Sequence, residues 1–148
     1  MELKKFNTKD PAESGSFLHL KHPVLGHLMY ADGPNVDENG FWNGEGKTPE
    51  AVGVTVKGAE APSLKKYLQT VRKRAIKRSE EIDEDEEGIN FVCRTVMAFH
   101  NITDEGRPLD AKNEDDIKMF FSQSADLVLQ VTRFSGEALN FFDAAKKH

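Results

Sequence analysis

The chain has 148 residues, 38% of them apolar and 30% charged, with ten Phe against one Trp and two Tyr. That is enough apolar material for the core of one domain and argues against disorder along the whole length. Twenty Lys and Arg against 25 Asp and Glu leave a formal charge of -5, which disfavours a dedicated binder of nucleic acid or anionic membrane, because both need a basic footprint.

No apolar run is long enough to cross a bilayer. The opening MELKKFNTKD lacks the apolar stretch of a secretory signal. A single Cys93 allows neither an internal disulfide nor a cysteine-based zinc site. The expectation is a soluble cytosolic α+β domain. Residues 1–15 read as a loose N-terminal arm, 16–58 as a small antiparallel sheet (a hairpin plus one strand), and 62–148 as a four-helix region.

In chain order, Leu18 and Leu20 alternate with His19 and Lys21, the period of a half-buried strand. His22-Pro23 and Gly26 then mark a turn, and His27–Tyr30 reads as the returning strand of a hairpin. Residues 31–50 contain four Gly and two Pro and read as a long loop, a type that tends to be functional or mobile. Val52, Val54 and Val56 give the clearest strand, placed at Ala51–Gly58.

Pro62-Ser63 opens a helix whose apolar stripe is Leu64, Tyr67, Leu68, Val71 and Ala75. Its other faces carry seven bases between Lys65 and Arg78, followed by seven acids between Glu80 and Glu87. A second helix is expected from about Ile89 to His100, with Ile89, Val92, Cys93, Val96, Phe99 and His100 close on one side. Asn101–Ala111 reads as a loop. Asn113, Glu114, Asp115 and Asp116 suit the start of a short third helix, since side-chain oxygens and negative charge both favour that end. A fourth helix is expected from about Ala125 to Lys146, with a seam of Leu127, Val131, Phe134, Ala138, Phe141 and Ala145.

Candidate chemistry is sparse. His19, His22 and His27 could gather around a transition metal, but no carboxylate is placed to orient the rings. Asn35–Gly40 echoes the start of a calcium loop, yet Gly46 stands where a bidentate Glu is required. Cys93 lies on an apolar helix face, where desolvation raises a thiol's pKa and leaves it inert. His100, two helical turns on at about 10 Å, is too distant to activate it. There is no nucleophile elbow and no phosphate-binding glycine loop. The expectation is a chain with no catalytic residue, metal or cofactor.

The charge blocks and the C-terminal seam carry more. The bases could pair with the acids of a neighbouring copy, which selects Arg72, Arg74, Lys77, Glu84 and Glu86 as candidate self-association residues. A nucleic-acid-binding regulator using helix 65–78 is the alternative. Leu129, Leu139 and Phe142 point away from the Leu127–Phe141 seam, so the last segment has apolar surface to present to another chain.

Leu18-His19-Leu20-Lys21-His22-Pro23 with Gly26, then Val54-Thr55-Val56-Lys57-Gly58, then the basic helix through Tyr67 and Arg72 form one ordered series. It continues in Phe99-His100-Asn101-Ile102, Asp104-Glu105-Gly106-Arg107-Pro108-Leu109, Phe120-Phe121, Leu127, Gln130-Val131, Phe134 and Asn140-Phe141. The order and spacing over most of residues 16–142 resemble the tail assembly chaperones of long-tailed bacteriophages and prophages. Phe99 stands where relatives often have Trp, and the 31–50 loop is longer than usual.

The resemblance implies a non-enzymatic protein of the infected bacterial cytoplasm that binds the tape measure protein and is absent from the finished virion. It implies a homo-oligomer, with the tail tube protein as a further candidate partner. The C-terminal residues expected to contact the partner are Phe134, Leu139, Phe141 and Phe142. A structural tail component retained in the particle is the alternative within the same biology.

Overall fold

The computed structural model describes residues 1–78 and 84–141, with residues 74–78 and 84 as backbone only. The fold is mixed α+β. A three-stranded antiparallel sheet is formed by β1 (Ser16–His19), β2 (Gly53–Val56) and β3 (Val96–His100), with β2 in the centre. One face of the sheet carries α3 (Glu84–Thr95), α4 (Glu114–Phe121) and α5 (Ala125–Gly136). Two further helices, α1 (Lys9–Ser14) and α2 (Pro62–Arg78), pack beside this layer around Ala12, Ala61 and Leu64.

The β-branched alternation of β2 places Val54 and Val56 fully inside, against Val92, Val96, Ile117, Phe121, Leu127, Val131 and Phe141. Leu18 and Leu20 enter the same core from the β1 side. The register pairs Phe17 with Thr55 and His19 with Gly53. The first hairpin is smaller than the sequence suggests. Its strands meet in a single bridge, Lys21 with Leu28, and β1 pairs mainly with β2.

The second helix ends at Thr95 rather than His100, and Val96–His100 is a strand. The sequence is ambiguous there, because Val96, Phe99 and His100 fit a helical stripe as well as a strand. Pairing with the open edge of β2 decides it: Val96 lies opposite Val56 and Ala98 opposite Thr55, leaving Met97 as the extra residue of a bulge. Thr95 is buried at the junction, with its hydroxyl donating to the Phe91 carbonyl at 2.7 Å.

The stretch 101–111 is not a plain loop. Thr103–Asp104 (β4) and Arg107–Pro108 (β5) form a hairpin. Its two central residues, Glu105 at φ 50° and Gly106 at φ 82°, both have the left-handed backbone that matches strand twist. The Arg107 guanidinium reaches both carboxylate oxygens of Asp116 at 2.9 Å, and the Asp110 N–H donates to the same group at 3.0 Å. Asn113 caps α4 as expected, accepting from the Asp115 N–H at 3.0 Å. Asp116 does more than meet the helix dipole. It is buried and clamps the β4–β5 hairpin to α4.

The last helix stops at Gly136, ten residues short of the expected end at Lys146. Its terminus is fixed from outside: the Ser135 hydroxyl donates to the Lys57 carbonyl at 2.8 Å, and the Ala59 N–H donates to the Ser135 carbonyl at 2.8 Å. The chain then turns back in a 3-10 segment, Ala138–Phe141, and the Phe141 ring settles over Gly58, where a Cβ would stand 3.0 Å from it. The seam therefore holds through Leu127, Val131 and Phe134 but not as one helix beyond Gly136; Ala145 lies outside the described residues.

The N-terminal arm contains helix α1 at Lys9–Ser14. Ala12 is buried, and its carbonyl accepts from the Gly58 N–H at 2.9 Å. Leu3–Phe6 forms a 3-10 turn with none of its residues buried.

Candidate functional site

Helix α3 is flanked by α5 along one side, and Gly88 is what lets them approach. A Cβ there would stand 3.1 Å from a methyl of Val128. Beside this contact lies an open groove of about 530 Å³, walled by Ile89 of α3, Phe121 at the end of α4, and Ala125, Val128 and Leu129 of α5. Asp85 lies at its lip, on a first turn of α3 that reads Glu-Asp-Glu-Glu. The wall hydroxyls point inward to their own helices, Thr132 to the Val128 carbonyl at 2.9 Å and Ser122 to that of Lys118. The groove consequently presents more carbon than polar surface, the character of a surface that can receive an apolar helix face.

The sheet face away from α3–α5 carries a run of rings. His100, Phe17, His19, Tyr30 and Trp42 follow one another at centroid spacings of 5.2, 6.3, 4.9 and 5.7 Å. Phe41 continues the patch, edge-on to both His22 and His27. These histidines have structural neighbours: Nε2 of His19 meets the Met29 carbonyl at 2.6 Å, His22 Nδ1 accepts from the Val24 and Leu25 N–H groups, and Nε2 of His100 meets the Thr55 hydroxyl at 2.7 Å. Among the described residues, no group of three or more His, Cys, Asp or Glu could hold a metal ion.

The 31–50 segment is built around Asp37. Its carboxylate accepts from the Asn39 and Phe41 N–H groups, both at 2.9 Å, and Val36 bridges Trp42 across the turn. The Asp37 carboxylate, the middle of the three side chains that suggested a calcium loop, thus caps the local backbone, the ordinary work of Asp in a turn.

Cys93 is half-buried at a shallow polar surface shared with Lys57, Ser63, Lys66, Thr70 and Arg94. Burial pushes its thiol up, so the nucleophilic form is suppressed. Glu13 reaches the same region, accepting from the Ser63 hydroxyl at 2.7 Å and pairing with Lys57 at 3.3 Å. The Ser63 hydroxyl is the main cause holding its carboxyl below the usual value.

No family model, curated protein or solved structure matches this chain.

The four residues selected for partner contact separate in the fold. Phe141 is 2% exposed, and the half-buried Phe134 stacks edge-on against it at 5.6 Å. Leu139 is 68% exposed. Phe142 lies outside the described residues. Of the charged set, Arg72 is exposed on α2, and Glu86 is exposed on the first turn of α3. Arg74 and Lys77 lie on α2 and Glu84 opens α3, their side chains being outside the described set.

The groove walls Ile89, Phe121, Ala125 and Val128 were not among the residues the sequence selected. Leu129, lying off the buried seam of its helix, was the signal pointing to them. Among the described residues, no helix is long and apolar enough to cross a membrane.

Proposed function

We propose that this chain is a non-enzymatic tail assembly chaperone of the bacterial cytoplasm, binding apolar helices of the tape measure protein while the tail is built. The observation that carries this reading is the apolar groove between α3 and α5, which no other described residue covers, joined to the series of residues over 16–142 that resembles the family. A helix laid in such a groove anchors through apolar side chains at i, i+3, i+4 and i+7. Among the described residues of the C-terminal part, Leu129 at the groove and Leu139 beyond α5 are the exposed large apolar residues that offer such contact.

The site differs from the one the sequence selected. Phe141 and Phe134 stabilise the fold that holds the groove, and Leu139 keeps a surface role. The formal charge of -5 keeps a chaperone with an apolar cargo in solution. Contact between copies through Arg72, Arg74 and Lys77 on one and Glu84 and Glu86 on the next belongs to the same proposal, as does the tail tube protein as a second partner.

Co-expression with the tape measure protein of the same phage or prophage tests it. The chain is expected to move that protein from the pellet to the soluble fraction and to co-purify with it. An unchanged pellet beside a folded, abundant chain would overturn the reading.

A further inference from the structure

The protein carries two apolar features that do not meet within one chain. The first is the N-terminal turn Leu3–Phe6. Leu3 is 87% exposed and Phe6 68% exposed, with Met1 at 95% beside them. Residues three apart in a 3-10 helix eclipse one another, so Leu3 and Phe6 form a single apolar edge. The turn is held at a fixed junction, because the Asn7 side chain accepts from the N–H groups of Lys9 and Asp10 and donates to the Asp10 carboxylate at 2.7 Å. The second feature is the α3–α5 groove, none of whose walls belongs to residues 1–9.

Their charges are complementary. Lys4 and Lys5 lie on the turn and Lys9 follows it, whereas the groove opens beside Asp85 in the acidic first turn of α3. We infer that residues 1–6 of one copy dock in the α3–α5 groove of a second copy, with Leu3 and Phe6 against the apolar walls and Lys4 and Lys5 toward the acidic lip. The contact joins unlike surfaces, so repetition produces a ring or an open chain rather than a two-fold dimer. This inference rests on the docking role given to the groove above, not on the identity of the foreign cargo. It makes the arm a competitor for that cargo.

Two full-length variants test it by sedimentation. Leu3→Ser with Phe6→Ser disables the arm and changes no buried residue. Ala125→Lys with Leu129→Lys disables the groove at two exposed positions. The wild-type chain is expected to self-associate with rising concentration, and each variant alone to do so at least about tenfold more weakly. An equimolar mixture of the two variants is expected to form a species of twice the chain mass, since one good arm then meets one good groove.

Raising the salt toward 1 M should weaken wild-type association, because the Debye length falls to about 3 Å. A wild-type chain that stays monomeric, an arm variant that associates like wild type, or a mixture that stays monomeric would each overturn the inference. A monomer whose arm is protected by its own groove counts among these results. The arm variant should still solubilise the tape measure protein. Failure of wild type and arm variant alike in that assay would remove the cargo assignment and leave the sedimentation result standing.

Discussion

Replacing Phe141 by Ala tests whether the C-terminal turn is core or surface. The ring is 2% exposed, stacks on Phe134 at 5.6 Å, and lies over Gly58 beside the methyl of Ala12. It also borders a small, partly open cleft of about 50 Å³. Removing the ring enlarges that cleft, and the backbone at Gly58 and Ala12, tied by its own hydrogen bond, cannot move in to fill it. Buried Phe→Ala changes cost about 3–5 kcal/mol, and incomplete collapse places this one near the middle, at about 4 kcal/mol. With a urea slope of about 2 kcal/mol/M, the midpoint should fall by about 2 M at unchanged slope. Leu139→Ala is the internal control. At 68% exposure it should move stability by no more than about 0.5 kcal/mol. Equal small effects from the two variants would refute the packing described here and return Phe141 to the surface.

Gly53→Ala should destabilise the sheet by about 1–3 kcal/mol, because the added Cβ would collide with the Leu18 carbonyl and press on the Phe17 ring; thermal unfolding of Gly53→Ala in wild-type and Phe17→Ala backgrounds separates the movable ring from the fixed carbonyl. Asp116 should govern acid sensitivity. The Arg107 side chain and then the Asp110 N–H lower its pKa from 3.8 to about 2 in the folded chain. Its contribution is therefore present above pH 3.8 and lost as the pH falls toward 2, and in a urea series Asp116→Asn should flatten that part of the acid profile. Cys93 should react with a thiol reagent at pH 7 more slowly than a free cysteine and gain rate only at higher pH, since burial raises its pKa; rapid native-state labelling would contradict that placement.

Much of the architecture was legible because local signals and tertiary packing agree. Val54 and Val56 alternate into the core as their spacing requires, and Asn113 caps α4 where the acids begin. The failures share a physical origin. At Val96–His100 the stripe fits helix and strand alike, and only the free edge of β2, forty residues earlier in the sequence, selects the strand. Gly136 ends α5 because Ser135 is held by Lys57 and Ala59, partners that no local pattern reveals. Asp116 looked like a helix-dipole residue because its partner Arg107 lies on a hairpin whose turn places a non-glycine residue, Glu105, at positive φ.

The candidate site was partly legible. Leu129 betrayed a second apolar side to its helix. The rest needs the approach of α3 to α5 at Gly88, which depends on a glycine inside a helix having a neighbour 40 positions away.

The proposed docking of an apolar cargo helix in the α3–α5 groove is tested most directly by comparing wild type, Ala125→Lys with Leu129→Lys, and Lys47→Glu in the tape-measure co-expression assay, once equal urea midpoints show that all three fold alike. Solubilisation should vanish with the groove variant and persist with Lys47→Glu, an exposed position that does not line the groove. A groove variant that solubilises the cargo as well as wild type does would contradict the claim.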